Sequence, residues 1–128
     1  MLSGGRVLVV DDESDLAALL SGALSEVGYD VSVAGSMGEA RRLLQAREFD
    51  VALLDMHLPD GTGADLLREI VEGGLGAECI MLTGDRDVSH AVQAMKLGAT
   101  DYLTKPTPLA EVEKVVAQAR DRRRLKAE

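Results

Sequence analysis

Val51-Ala52-Leu53-Leu54-Asp55 is an unbroken apolar run that stops on a carboxylate. A short run without polar alternation suits a strand buried on both faces, as in a parallel sheet. The pattern recurs in Val7-Leu8-Val9-Val10 before Asp11-Asp12, Ile80-Met81-Leu82 before Thr83, and Tyr102-Leu103-Thr104 before Lys105. Parallel strands would bring all of these polar residues to one end of one sheet, with Asp55 closing the central strand.

Working outward, strands are expected at Arg6–Val10, Asp30–Ala34, Val51–Asp55, Cys79–Thr83 and Asp101–Lys105, with amphipathic helices between them. The first helix places Leu16, Leu19, Leu20, Ala23, Leu24 and Val27 on one face and stops at Gly28. The second opens with Ser36 three residues before Glu39, a capping box, and turns Ala40, Leu43 and Leu44 inward. The third presents Leu66, Leu67, Ile70 and Val71 before Gly73-Gly74-Leu75-Gly76. The fourth carries Val88, Ala91, Val92 and Met95 before Gly98. The fifth starts at Thr107-Pro108 and buries Leu109, Val112, Val115, Val116 and Ala119. Strand–helix units of this length predict an α/β fold, a (βα)5 doubly wound five-stranded parallel sheet. Its right-handed crossovers put ligands at the strand carboxyl ends.

A chain of 128 residues is expected to form a single domain over 1–128 with its own core. Its net charge of -8 and its scarcity of aromatics argue against direct nucleic-acid binding by this domain. One cysteine, Cys79, permits no disulfide within the chain and reads as a buried hydrophobe. Met37, Met56, Met81 and Met95 read as core or loop packing. Residues from Met1 to Arg6 have no apolar stretch of leader length, and no segment approaches the roughly 18 apolar residues of a membrane span. The expected location is the cytoplasm, with no membrane partner.

The strand-end residues specify a chemistry. Carboxylates as close as Asp11, Asp12 and Asp55 repel one another unless one is protonated or a cation intervenes. A hard divalent ion such as Mg2+ (or Mn2+) suits them, leaving room for phosphate oxygens. Lys105 and Thr83 can hold an oxyanion, and the set describes a phosphoryl-transfer site. No G-x-x-x-x-G-K-[ST] motif supports nucleotide binding, so a side chain must carry the phosphoryl group; Asp55 is the candidate nucleophile. Taken singly, the acidic cluster could cap the first helix, Asp55 could form a turn and Lys105 could be merely solvated. The joint arrangement favours the site.

Four segments carry a family resemblance: Val7-Leu8-Val9-Val10-Asp11-Asp12-Glu13, Leu53-Leu54-Asp55 through Gly63, Met81-Leu82-Thr83-Gly84, and Gly98 through Lys105-Pro106. In this order and spacing the chain resembles the CheY-like receiver domain of two-component response regulators, most nearly those of NtrC-type transcriptional regulators. The resemblance implies the flavodoxin-like strand order 2-1-3-4-5. It implies a phosphoacceptor at Asp55, charged by a sensor histidine kinase or a small phosphodonor, in a domain that catalyses its own phosphorylation and dephosphorylation. It further implies metal ligation by Asp12, Asp55 and the main-chain carbonyl of His57, with Asp11 acting mainly through water. A cis Lys105–Pro106 bond would aim Lys105 at the phosphoryl group. Thr83 and Tyr102 would switch, remodelling the surface of the fourth helix, fifth strand and fifth helix, where a homodimer could form. The His57 side chain would influence water access and phosphoryl lifetime.

Arg120, Arg122, Arg123, Arg124 and Lys126 read as a solvated helix end projecting beyond the sheet. Residues 120–128 could start a linker helix to an output domain that controls transcription. The alternatives are a stand-alone response regulator acting by protein–protein contact, a phosphorylation-independent interaction module and, less well supported, a haloacid-dehalogenase-like phosphatase. That last family resembles D-x-D, whereas His57 stands two residues after Asp55.

Overall fold

The computed structural model describes residues 4–84 and 88–127. The strands are β1 (Gly5–Val10), β2 (Tyr29–Ala34), β3 (Val51–Asp55), β6 (Glu78–Thr83) and β7 (Asp101–Thr104), and a small hairpin joins β4 (His57–Leu58) to β5 (Gly61–Thr62). The helices are α1 (Ser14–Glu26), α2 (Met37–Ala46), α3 (Gly63–Glu72), α4 (Val88–Leu97) and α5 (Leu109–Ala127). The main sheet is parallel, in the order β2-β1-β3-β6-β7. With the two-residue strands set aside, this is the predicted 2-1-3-4-5. The expectations for Met1–Ser3, for the end of the chain at Glu128 and for the Val88 side chain lie outside the described residues.

Alternation along the strands builds two cores from one sheet. Leu8, Val10, Ala52, Leu54 and Met81 face α2, α3 and α4, around Phe49, Leu66, Leu67 and Ile70. Val7, Val9, Val51, Leu53, Ile80 and Leu82 face α1 and α5, against Leu20, Leu24, Val112 and Val116. Among the described residues, Asp11, Asp55, Glu78 and Thr83 are the buried polar ones of this interior.

The helical stripes are narrower than their periodicity suggested. α1 buries Ala17, Leu20 and Leu24, while Leu19 and Val27 are exposed. Leu19 lies a step round the helix and lines a groove of about 430 Å³ with Leu16, Leu109 and Val112, whereas Val27 is already the helix C-cap. Val71 sits on the outer edge of α3 over Gly98, half-exposed. On α4 the inward residue is Ala94, flanked by the half-buried Ala91 and Leu97, so Val92 and Met95 face solvent. Met95 is therefore not core packing.

The end of α5 also departs from expectation. Arg120 donates to the carbonyl of Gly4, and Arg123 bonds the carbonyl of Gly76 and the carboxylate of Asp50. Lys126 pairs at 3.0 Å with the buried Glu78, whose other oxygen accepts the hydroxyl of Thr100. These cations bind the helix back to the amino edge of the sheet instead of projecting from it. The reason is electrostatic: Asp50 immediately precedes β3, Glu78 opens β6, and both need countercharge. Arg122 and Arg124 are exposed, as expected of a solvated end.

Candidate functional site

Strand register decides which side chains meet. Val10 pairs with Leu54, Asp55 with Leu82, and Thr83 with Thr104. Asp11 and Asp55 therefore emerge level on neighbouring strands, Thr83 emerges one residue later and Lys105 two residues later. The backbone N–H of Lys105 donates to the carbonyl of Thr83 at 2.7 Å, which ties the ends of β6 and β7 together.

Carboxylate oxygens of Asp11, Asp12 and Asp55 all lie within 4.8 Å of one another. Asp11 and Asp55 are buried and Asp12 is exposed, so the cluster opens to solvent on one side. The Lys105 ammonium sits against it, 3.0 Å from Asp11 Oδ2, 2.9 Å from Glu13 Oε1 and 3.4 Å from Asp55 Oδ2. Burial and the charge of Asp11 push the Asp55 carboxyl above its usual range, against the pull of Lys105 and of the His57 N–H. Burial alone would lower the Lys105 pKa, yet the carboxylates of Glu13, Asp11 and Asp55 overcome it and hold the ammonium above its usual range.

One lysine does not satisfy this cluster. Asp11 Oδ1 accepts the backbone N–H of Glu13 at 2.9 Å. Asp11 Oδ2 is fully buried and accepts no hydrogen bond among the described residues, despite the nearby ammonium. A buried carboxylate oxygen in that condition is costly, and a hard cation bound by oxygen ligands relieves the cost. The donor set thus fits Mg2+ or Mn2+.

The loop after Asp55 is held close. Gly63 donates to the carbonyl of Met56 at 2.8 Å, and a Cβ at Gly63 would overlap the carbonyl of Asp55. The His57 N–H reaches Asp55 Oδ1 at 3.4 Å, and its imidazole is outside the cluster on an exposed residue.

Comparison with known proteins turns this geometry into a family assignment. Residues 7–117 match the sequence model of the response regulator receiver domain. The chain belongs to this family. The receiver is similar to the response regulator protein PilR of Pseudomonas aeruginosa, 40% identical over 118 residues, which is 92% of this chain and 26% of PilR. It is also similar to the photosynthetic apparatus regulatory protein RegA of Cereibacter sphaeroides, 36% identical over 83% of this chain and 58% of RegA. Among solved structures, a CheY-like receiver domain from Methanospirillum hungatei aligns with a TM-score of 0.90 at 28% identity, over 98% of this chain and 99% of that one. NtrX from Brucella abortus aligns with a TM-score of 0.91 at 29% identity, over 98% of this chain and 29% of NtrX. The receiver thus spans only a part of PilR, RegA and NtrX, and its place is in two-component signal transduction.

The remaining site residues occupy distinct positions in the receiver. Thr83 is fully buried and Tyr102 half-buried, packed against the α2–α3–α4 core. The Lys105–Pro106 peptide bond is cis. Cys79 is buried and its thiol is pushed up to about 12 by burial and by Glu78, so it is an inert hydrophobe. Sequence reasoning missed two participants, Glu13 as a partner of Lys105 and Asp60 in the β4–β5 turn. For Asp60 the signal was present in Pro59-Asp60-Gly61, a turn sequence. For Glu13 there was none, because its partner is 92 positions away.

Proposed function

We propose that this receiver accepts a phosphoryl group on Asp55 from the phosphohistidine of a sensor histidine kinase, in a reaction that depends on Mg2+ or Mn2+. The observation that carries the reading is the convergence of Asp11, Asp12 and Asp55 within 4.8 Å, with Lys105 beside them, at the carboxyl end of the sheet. An Asp55 oxygen attacks phosphorus, the new P–O bond replaces the P–N bond, and the imidazole leaves with its own electron pair. Asp11, Asp12, Asp55 and the main-chain carbonyl of His57 would hold the metal, which supplies charge neutralisation for the transferred group. Lys105 neutralises a phosphoryl oxygen, and Thr83 offers a hydroxyl.

The new group brings roughly two negative charges, which favour the conformer that presents Thr83 and Lys105 to it. Tyr102 and the face made by α4, β7 and α5 respond. Exposed Val92 and Met95 on α4 give that face the apolar surface that a homodimer or an output domain would cover. The reading places the domain over 1–128 in the cytoplasm, with residues 120–128 leading toward an output domain in an NtrC-type transcriptional regulator. A stand-alone regulator is the second reading, and His57 in place of a second aspartate disfavours the phosphatase.

The decisive experiment is intact-mass analysis after incubation with a small phosphodonor and Mg2+. Wild type should gain a single phosphoryl group and Asp55→Asn none. A wild type that stays unlabelled, or a mutant labelled equally, refutes the reading. Steady turnover of a phosphomonoester without labelling would support the phosphatase instead.

A further inference from the structure

We propose that Asp60 is a positioning residue for the metal site: its carboxylate, spread across the first two amides of α2, fixes the hairpin that carries His57 and so sets how tightly the acidic cluster binds a divalent cation. This rests on the phosphoacceptor reading above and assigns a role to a residue outside the cluster.

The hairpin pairs His57 with Thr62 and Leu58 with Gly61, leaving Pro59 and Asp60 at its tip. Its base is fastened by the Gly63–Met56 hydrogen bond and by the close approach of Gly63 to Asp55. Its tip is fastened by Asp60 alone among polar side chains of the described residues. Oδ1 accepts the N–H of Met37 at 2.8 Å and Oδ2 accepts the N–H of Gly38 at 3.1 Å. The same two amides hold the Asp60 carboxyl below its usual range, Met37 first. Met37 in turn lies over Gly61, where a Cβ would overlap its sulfur.

Between these two fastenings sits His57. Both Asp60 oxygens are engaged by α2, so the residue acts on the site only through the hairpin. α2 supplies a second handle, because its N-cap, Ser36, accepts the Glu39 N–H at 3.2 Å, a bond to which the hairpin contributes no atom. Loosening α2 at Ser36 and releasing the hairpin at Asp60 are therefore separable.

The test is calorimetric titration of Mg2+ into the unphosphorylated full chain, with thermal unfolding measured in parallel. Asp60→Ala should weaken Mg2+ binding by about tenfold, the low end for outer partners of metal ligands. Asp60→Asn, which keeps an acceptor for the Met37 amide, should fall between Ala and wild type. Ser36→Ala should lower the unfolding midpoint yet leave the dissociation constant within about twofold, as for an uncoupled site. The Mg2+ concentration for half-maximal phosphorylation should move in step with the dissociation constant. The proposal is overturned if Asp60→Ala binds Mg2+ like wild type, or if Ser36→Ala weakens binding as much. Should Asp60→Ala not fold, the contrast of Asp60→Asn with Ser36→Ala decides in the same way. A wild type that binds Mg2+ with the Asp60 dependence but takes up no phosphoryl group would sink the phosphoacceptor reading alone.

Discussion

At the scale of single residues, the site holds more negative charge than one lysine can neutralise. Asp55 has its pKa raised first by burial and then by Asp11, so its ionisation works against the fold. A carboxyl raised in the native state contributes stability below its ordinary value of 3.8 and loses it as the pH rises through the raised value. In metal-free buffer at pH 7, Asp55→Asn should therefore be more stable than wild type, by on the order of 1 kcal/mol. The advantage should shrink as the pH falls and vanish below 3.8, read from urea midpoints. Saturating Mg2+ should reverse the order, since about 2.7 kcal/mol follows from a ligand at a hundred times its dissociation constant. Asp11, Asp12, Asp55, Thr83 and Lys105 were legible because a strand end is a local signal. Glu13 was not, because its partner is distant in the chain, and Asp60 was legible only as a turn residue, because the α2 amides it holds lie in a separate segment.

At the scale of elements, buried parallel strands were the easiest to read. A run such as Val51–Leu54 has no exposed face to confuse it, and Val51–Asp55 is β3 in the structure. The helices were read with the right order but with stripes too broad, since periodicity does not show where a neighbouring helix stops. α4 illustrates this: its packing needs only Ala94 and its flanks, which leaves Val92 and Met95 outside. The expected capping box at Ser36 is present in altered form. Ser36 accepts the Glu39 N–H, while the Glu39 carboxylate reaches the Gly35 N–H at 2.7 Å, one residue before the cap. Ser36→Ala should cost about 1 kcal/mol in chemical denaturation.

At the scale of the whole molecule, the sheet separates two tasks. Its carboxyl edge gathers the acidic site, and its amino edge is closed by α5. Arg123 links Asp50 Oδ1 at 3.0 Å to the Gly76 carbonyl, while Asp50 Oδ2 takes the N–H of Arg6. Replacing Arg123 with Met should destabilise the fold by about 1–2 kcal/mol by leaving Asp50 without its cation, as thermal unfolding would show. The basic cluster itself was visible in the sequence, but its acidic partners start strands far away, and only the topology brings them under α5. The family match ends at residue 117, before Arg120, Arg123 and Lys126. Recombination that splices modules at that point would transplant a receiver whose Asp50 and Glu78 have lost their counterions, whereas a junction after Lys126 carries the whole ionic clasp into the chimera.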